Sequence, residues 1–482
     1  MGVVESTVDR SLDGLFKAEG IAIIGASSKV GKPGNKIVEY ALEMDFKGEI
    51  YPINPGADKI MGLQCYKDLE SIEGKVDIVV VVLHSDECVV AAQKIAKRRD
   101  ERGDISVVVV VSGGFSEKGD DEGRDREKAL LEPLLSRGIR VVGPNCQGII
   151  DTYQGINTTF DVGQYPKGGL SVITQSGAFA VSYLMWAHPL GLLGLSKFVS
   201  VGNMKDVSAI DLLNYFADDE STKVIALYLE GASEARKLIE TAAAVSKKKP
   251  IITMKAGRTA LGGRAAQSHT GSIAGSFDMY KGAFRQAGVI QTFNVPEFYH
   301  TAAAFSKMPV PKGNRVCVLT VVGGPGTLCV DELISSGVVE LATLSEETKS
   351  RLREILAPTA NVGKPDGYID MTGSVSETLH QEVFKIVLSD KNIDGVIYLT
   401  TPPAFLDEEE LARNIVAAYQ SFPEAERKPV LSVLLYGYSV ARGRKVMEAA
   451  GMPTLDYPDT AAQVMANMIR YSQYRSRNNG EQ

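Results

Sequence analysis

The chain has 482 residues, 44% of them hydrophobic, and a formal net charge of −7, which predicts a large core divided among about three domains. An acidic chain without a basic patch is not expected to bind nucleic acid, because such binding relies on cations that displace counterions. Apolar runs such as 78–83 are far too short to span a membrane, and five scattered cysteines without a C-x-x-C pair predict neither disulfides nor zinc, so we expect a cytoplasmic protein.

Residues 10–150 alternate short apolar runs with helical patterns. A strand is predicted at 20–24, followed by a turn at 25–31 and a helix from about Asn35. Further strands are predicted at 50–53, 76–83, 106–111 and 140–142, and helices at 89–98 and 126–135. This alternation predicts a doubly wound parallel sheet, in a Rossmann-like α/β domain.

The turn at 25–31 reads Gly-Ala-Ser-Ser-Lys-Val-Gly and opens a helix, which is typical of a site for phosphate groups. A nicotinamide dehydrogenase is the usual interpretation of such a turn. Two features oppose it: the spacing is not G-x-G-x-x-G, and Asn54 follows the second strand where a carboxylate would bind the ribose. An ordinary turn between a strand and a helix is the other alternative, and the residues alone leave the choice open.

Residues 151–307 form the second predicted α/β domain. Its strand at 170–174 leads through Ser176 and Gly177 into a helix, whose first N–H groups favour an anion. The strand at 224–229 ends at Glu230, which is therefore expected at the same edge of the sheet, where ligands of open α/β sheets bind. The sequence thus predicts an anion site at Ser176 and Gly177 with Glu230 beside it.

His269 lies in a segment of small residues, 257–276, which we predict to be a loop. Long loops within compact domains are usually functional or disordered. A lone histidine on such a loop is a candidate nucleophile, although a plain surface histidine is the commoner case. An imidazole that attacks through one nitrogen needs an acceptor for the proton on the other. We prefer Glu230 to Asp206 for that role.

Residues 308–470 repeat the strand, turn and helix layout of the second domain. A strand at 315–320 is followed by a glycine-rich turn and a helix, and strands at 395–400 and 430–436 complete a third α/β domain. The anion-binding residues predicted at this second helix end are Gly324, Gly326 and Thr327. The predicted fold is therefore three consecutive doubly wound parallel-sheet domains, followed by a polar tail at 471–482.

The segment 264–275 resembles the phosphohistidine loop of the NDP-forming acyl-CoA synthetase family, and segments at 25–31, 82–83, 112–115 and 143–148 resemble its CoA-binding domain. The resemblance covers nearly the whole chain and is closest to the α subunits of ADP-forming members. It implies that His269 takes a phosphoryl group, that Glu230 is the matching glutamate, and that two flavodoxin-like ligase domains each turn a helix N-terminus toward the phosphohistidine. The implied CoA contacts are Gly25, Ala26, Ser27, Lys29, Gly31, Asn54, Val82, Leu83, Ser112, Gly113 and Asn145.

The resemblance also implies a reaction, acyl-CoA + ADP + phosphate ⇌ carboxylate + CoA + ATP, through an acyl phosphate and a phosphohistidine. The chain has no G-x-x-x-x-G-K-S/T loop. The family's ATP-grasp domain, which binds ADP or ATP and magnesium, is therefore expected on a separate β subunit in an α2β2 heterotetramer. No metal site or prosthetic group is expected in the chain itself.

Two other functions stay open at this point. A ligase similar to succinyl-CoA synthetase would act on a different carboxylate, and the choice between ADP and GDP is not encoded in any motif. A non-catalytic, CoA-binding regulatory subunit would need neither His269 nor the paired helix ends.

Overall fold

The computed structural model describes residues 12–161, 163–188, 191–192, 194–270, 277–373, 375–402, 406–435 and 437–479. The chain divides into two compact units. The first comprises Met1–Trp186 and Gly194–Gln291, and the second comprises Ala187–Leu193 and Thr292–Gln482. Among the described residues, no helix is both long enough and apolar enough to cross a membrane.

The first sheet of the first unit is fully parallel. Its elements are α1 (Asp13–Phe16), β1 (Gly20–Ile24), α2 (Pro33–Glu43), β2 (Glu49–Ile53), β3 (Lys59–Ile60), β4 (Leu63–Gln64), β5 (Ile78–Val81), α3 (Ser85–Arg102), β6 (Val107–Val110), α4 (Asp121–Leu135) and β7 (Arg140–Val142). The strand order is β2-β1-β5-β6-β7, and β3 pairs with β4 in a small hairpin beside it. The Val- and Ile-rich strands β5 and β6 send alternate side chains into two cores, one on each face, as expected for a parallel sheet covered on both sides.

The second sheet is parallel except at one edge. Its elements are β8 (Ile149–Asp151), β9 (Ile156–Asn157), β10 (Lys167–Thr174), α5 (Gly177–Ala187), β11 (Leu195–Ser200), α6 (Ala209–Asp218), β12 (Val224–Leu229), α7 (Ala235–Ser246), β13 (Ile251–Lys255), α8 (Ala260–Thr270), α9 (Phe277–Gln286) and β14 (Ile290–Gln291). The order is β14-β13-β12-β10-β11-β8-β9, with β8 antiparallel to β11 and to β9. Phe16 of α1 packs 4.8 Å from the ring of Tyr215 in α6, so one core joins the two sheets.

The second unit holds a third sheet. Its elements are α10 (Val295–Lys307), β15 (Arg315–Thr320), α11 (Gly323–Ser335), β16 (Glu340–Leu341), α12 (Glu346–Ile355), β17 (Asn361–Val362), β18 (Tyr368–Asp370), α13 (Glu377–Ser389), β19 (Gly395–Thr400), α14 (Glu408–Gln420), β20 (Val430–Leu434), α15 (Ala441–Ala449), β21 (Thr454–Leu455) and α16 (Pro458–Asn479). The order is β17-β18-β15-β19-β20-β21, and β16 also pairs with β15. The doubly wound α/β architecture predicted for the chain is confirmed.

Two stretches differ from the local structure that the sequence predicts. Residues 260–270, predicted as loop, form helix α8. Gly262 and Gly263 favour a loop, but the neighbouring alanines, Leu261 and Arg264 are strong helix formers. The predicted polar tail begins inside α16, which continues to Asn479.

Arg98 of α3 holds the segment that follows β4. Its side chain is 1% exposed, and its guanidinium donates to the carbonyl oxygens of Leu69 at 2.7 Å, Ile72 at 2.8 Å and Gly74 at 2.8 Å. It also binds the Asp104 carboxylate at 2.7 Å. A buried guanidinium with this many acceptors is satisfied only in one geometry, so it fixes residues 69–74 against the sheet.

We expect Arg98→Met to lower the free energy of unfolding by about 3–5 kcal/mol, because it leaves the partly buried Asp104 carboxylate and three carbonyls without their donor. The control is Arg102→Met on the same helix, where an exposed side chain donates to the Glu73 carbonyl. The free energy of unfolding of Arg102→Met should fall by less than about 1 kcal/mol. Urea unfolding measures both variants, and equal losses would contradict this role for Arg98.

Candidate functional site

A cleft of about 1040 Å³ opens at the carboxyl edge of the first sheet. Its floor is formed where β1, β2, β5 and β6 end, at residues such as Ile24, Ile53 and Val111. In the order β2-β1-β5-β6-β7, β2 lies on one side of β1 and β5 on the other, so the direction of the chain across the sheet reverses at β1. The cleft therefore lies at the topological switch point, where open α/β sheets bind their ligands.

Most of the residues predicted to contact CoA line this cleft. They are Gly25, Ala26, Ser27, Asn54, Val82, Leu83, Ser112 and Gly113. Lys29, Gly31 and Asn145 lie outside its described lining. The predicted turn and the ends of β2, β5 and β6 are thus brought together in one concave surface.

Several of these residues shape the cleft through the backbone. Gly25 has φ +91°, and a Cβ there would lie 2.2 Å from the carbonyl oxygen of Val82, so the turn requires glycine. The Asn54 amide donates to the carbonyl of Ala26 at 2.7 Å. The Ser112 hydroxyl accepts from the N–H of Leu83 at 3.1 Å and donates to its carbonyl at 2.6 Å. These side chains hold neighbouring strand ends in place.

The lysines of the cleft lining were missed by the sequence analysis, and they lie there together with Asp68 and Glu87. Lys32 comes directly before α2, Lys67 lies after β4, and Lys94 lies on α3. His84 is the N-cap residue of α3 and also lines the cleft, and Phe160 lines it too. These residues belong to no motif, and only the β-α order of the chain could have indicated that α3 borders the switch point.

The second predicted site lies at the N-terminus of α5. Ser176 precedes the helix, and its hydroxyl accepts from the N–H of Phe179 at 3.4 Å. The carboxamide of Gln175 accepts from the backbone N–H of Glu230 and, at 3.0 Å, from that of Gly231. It also donates to the Gly231 carbonyl at 2.9 Å. The helix end and the Glu230 segment are therefore held side by side, as predicted from the two strand ends.

Glu230 is 4% exposed. Burial raises the pKa of Tyr228. The neighbouring Glu230 carboxylate, which accepts a hydrogen bond from the Tyr228 phenol, raises it further. The Lys255 ammonium donates to the carbonyl oxygens of Glu230 and Ala256, each at 2.7 Å. Burial lowers the pKa of Lys255, and the Glu230 carboxylate opposes that shift. Glu230 is thus a buried carboxylate with a phenol and a cation close by.

Asp206, the weaker candidate, is engaged elsewhere. Its carboxylate accepts from the Arg140 guanidinium at 2.9 Å and from the backbone N–H of Val141 at 2.7 Å. These contacts tie the segment before α6 to β7. The structure therefore gives Asp206 a bracing role within the first unit.

His269 falls in the last turn of α8, and its side chain lies outside the described residues, as do residues 271–276. Two other histidines are buried. Burial lowers the pKa of His300 to about 4, and the Nδ1 of His380 lies 2.7 Å from the Ser376 carbonyl oxygen. Their burial indicates structural roles.

The N-terminus of α11 repeats the geometry of α5. The Thr174 hydroxyl, at the end of β10, donates to the Ser176 carbonyl at 2.7 Å, and the Thr320 hydroxyl, at the end of β15, donates to the Val322 carbonyl at 2.9 Å. Thr327 donates to the Gly323 carbonyl at 3.1 Å. The predicted internal repeat therefore extends to the hydrogen bond that turns each strand into its helix.

The two glycines predicted at the α11 anion site differ in surroundings. A Cβ on Gly326 would lie 2.8 Å from the Tyr368 hydroxyl and 2.9 Å from a Thr320 methyl carbon, whereas one on Gly324 would meet no described atom within 4 Å. Gly326 is a close-packing position, and Gly324 is the exposed one at the helix end.

We expect Gly326→Val to destabilise the second unit by about 1–3 kcal/mol, because it overpacks the contact with Tyr368 and Thr320. Gly324→Ala should be neutral or stabilising by up to about 1 kcal/mol, since alanine favours a helix over glycine. Thermal unfolding of the two variants measures this contrast. A stable Gly326→Val protein would show that the space beside Tyr368 is not filled as described.

In the described part of the chain, no cluster of three or more histidine, cysteine, aspartate or glutamate side chains is arranged to hold a metal ion. The cationic groups at the two sites are lysines, and the helix ends add backbone N–H groups. Such groups bind phosphates directly. The donor set therefore suits phosphorylated ligands.

Two family models match the chain. The model described as a CoA binding domain matches residues 19–152, which contain the cleft. The model described as a succinyl-CoA ligase like flavodoxin domain matches residues 167–305, which contain the α5 end, Glu230 and His269.

Whole-chain relatives agree with these models. The chain is 38% identical over 457 residues to acetate–CoA ligase (ADP-forming) II subunit alpha of Pyrococcus furiosus, covering 94% of this chain and 96% of that protein. It is 34% identical to acetate–CoA ligase (ADP-forming) of Methanocaldococcus jannaschii, of which it spans only 64%. Its fold matches a solved structure of dinucleotide-forming acetyl-coenzyme A synthetase 1 of Ca. Korarchaeum cryptofilum in complex with phosphate and ADP, with a TM-score of 0.89, 33% identity and 98% coverage of both chains.

Proposed function

Because this chain belongs to the family of ADP-forming acetate–CoA ligases, we propose that it is the α subunit of such an enzyme and interconverts acyl-CoA + ADP + phosphate with carboxylate + CoA + ATP. The observation that carries the proposal is the match along nearly the full length of a named α subunit. The switch-point cleft supports a CoA site in this proposal, and the buried carboxylate beside the α5 end supports a separate site for phosphoryl transfer.

The proposed reaction divides into three transfers. Phosphate oxygen attacks the thioester carbonyl, and the thiolate leaves to give acyl phosphate and CoA. An imidazole nitrogen of His269 then attacks phosphorus, and the carboxylate leaves. The phosphoryl group finally passes from His269 to the terminal oxygen of ADP. The negative charge that develops on the phosphoryl oxygens is suited to the N–H groups at the end of α5.

Glu230 is the proposed acceptor for the second ring proton of His269. A buried carboxylate that accepts this proton fixes the tautomer of the imidazole and stabilises the cation that forms as the other nitrogen attacks. Gln175 and Lys255 hold the main chain of Glu230 on both sides. The carboxylate therefore starts from a fixed backbone position.

We place ADP, ATP and magnesium on a separate ATP-grasp β subunit, in an α2β2 assembly. The support is the name of the Pyrococcus furiosus relative, which identifies it as a subunit alpha. The longer Methanocaldococcus jannaschii relative, which this chain only partly spans, fits a protein that carries both parts in one polypeptide.

The lysines in the cleft lining predict how CoA binds. Lys94→Glu should weaken CoA binding by about tenfold or more, because it replaces a charged donor to phosphate with a repelling carboxylate. Lys97→Glu, one turn along the same exposed face of α3 and outside the cleft lining, is the matched control. Calorimetry on the full chain without its partner measures both.

Lys29→Glu tests the other side of the same prediction. Lys29 was predicted from the turn motif to contact CoA, but it lies outside the described lining. If Lys29→Glu lowers the affinity for CoA and Lys94→Glu does not, the CoA phosphates bind at the outer face of the turn and not in the cleft. A folded chain that binds no CoA would refute the cleft assignment.

Phosphoryl transfer is tested by labelling the chain with radioactive ATP, magnesium and the ATP-grasp partner. His269→Ala should abolish an acid-labile, base-stable label. Glu230→Gln keeps the shape and the main-chain bonds to Gln175 and Lys255, but it loses the charge that stabilises the imidazolium. It should slow labelling by about 10²–10⁴-fold.

Glu234→Gln is the control for that measurement, because Glu234 is an exposed glutamate shortly after Glu230. Its labelling rate should equal that of the wild type. Wild-type labelling of His269→Ala would remove the phosphohistidine from the mechanism. Labelling of the chain by ATP without the partner would show that it binds nucleotide itself.

A further inference from the structure

Gln147 covers the first residue of α5. A Cβ on Gly177 would lie 1.8 Å from the Gln147 Cγ, 2.7 Å from its Cβ and 3.1 Å from its Cδ. The aliphatic part of Gln147 thus rests on Gly177, and only glycine permits this approach. The carboxamide is consequently held at the helix end where phosphate is proposed to bind.

The loop that carries Gln147 also reaches the cleft. Asn145 has φ +59°, and its N–H donates to the Ser112 carbonyl at 2.9 Å. Its Oδ1 lies 3.2 Å from the position of a Cβ on Gly113. Ser112 and Gly113 line the cleft. Residues 145–147 therefore span the gap between the cleft and the N-terminus of α5.

Gln147 Oε1 is buried and has no hydrogen-bond partner among the described residues. An enclosed amide oxygen without a hydrogen-bond donor costs roughly 1–3 kcal/mol of stability. A bound ligand that donates to this oxygen removes that cost. Phosphate and an acyl group are chiefly acceptors. In acyl-CoA, the donor nearest the thioester is the last amide N–H of the pantetheine arm.

We propose that the Gln147 carboxamide accepts from this pantetheine N–H and so positions the thioester carbon over the N-terminus of α5. The inference rests on the proposed function and adds a residue to it. With the arm held at 145–147, the thioester leaves the cleft at the point where the Ser176 and Gly177 backbone faces the attacking phosphate. Gln147 is a substrate-positioning residue and exchanges no proton in the reaction.

The test compares two ligands that share the nucleotide end of CoA. Acetyl-CoA has the pantetheine arm and the thioester, and adenosine 3′,5′-bisphosphate has neither. With the full chain, Gln147→Met should weaken acetyl-CoA binding by about tenfold and leave bisphosphate binding unchanged, as measured by calorimetry. Gln154→Met, at an exposed glutamine in the β8–β9 turn, should leave both affinities unchanged.

Each outcome decides between alternatives. Unchanged acetyl-CoA affinity in Gln147→Met would overturn the inference while the proposed function stands. Equal losses for both ligands would overturn it too, because they would mean that Gln147 shapes the cleft as a whole. A wild-type chain that binds neither ligand would refute the proposed function and this inference together.

Discussion

The Gln175 carboxamide ties the end of β10 to the end of β12, and the candidate phosphoryl-transfer site depends on that tie. Parallel strands end at the same edge of a sheet, but their exits diverge unless something holds them. Gln175 accepts from two consecutive N–H groups, at Glu230 and Gly231, and donates back to the Gly231 carbonyl. Since Ser176 and Gly177 follow Gln175 directly, the same bonds fix the α5 N-terminus beside Glu230. The Gln175 side chain thus sets the geometry of the candidate site.

The second and third sheets make the turn from their central strand into the next helix in the same way. Thr174 and Thr320 end the central strands β10 and β15, and each hydroxyl donates to the carbonyl two residues on. That bond bends the chain sharply, so the helix starts at the sheet edge with its first N–H groups facing outward. The small residues that follow are needed for different reasons in the two copies: Gly177 makes room for Gln147, and Gly326 makes room for Tyr368. The layout is repeated, while the packing around it is specific to each sheet.

The sequence predicts the sheet strands well because burial on both faces leaves continuous Val and Ile runs, as at Val107–Val110. It also predicts the edge position of Glu230, because the residue that follows a parallel strand lies at the carboxyl edge of the sheet. It fails where the signal is not local. Lys67 and Lys94 belong to no motif and enter the cleft only through packing of their segments. Helix α8 was missed because Gly262 and Gly263 outweighed the helix-forming residues around them, and the buried strands of the β8–β9 hairpin, with three and two residues, are too short to show a detectable period.

The charges around Glu230 explain how a buried carboxylate can stand next to an anion site. A lone carboxylate there would be costly to desolvate and would repel phosphate. Lys255 offsets it through space, while its described hydrogen bonds go to the carbonyl oxygens of Glu230 and Ala256. The ammonium is thereby held by the backbone at a fixed distance, and Tyr228 adds a neutral donor. The opposite charges of Lys255 and Glu230 offset each other, which leaves the positive end of the α5 dipole available to an anion. A carboxylate at this position is therefore compatible with an anion at the α5 end, as the role proposed for Glu230 requires.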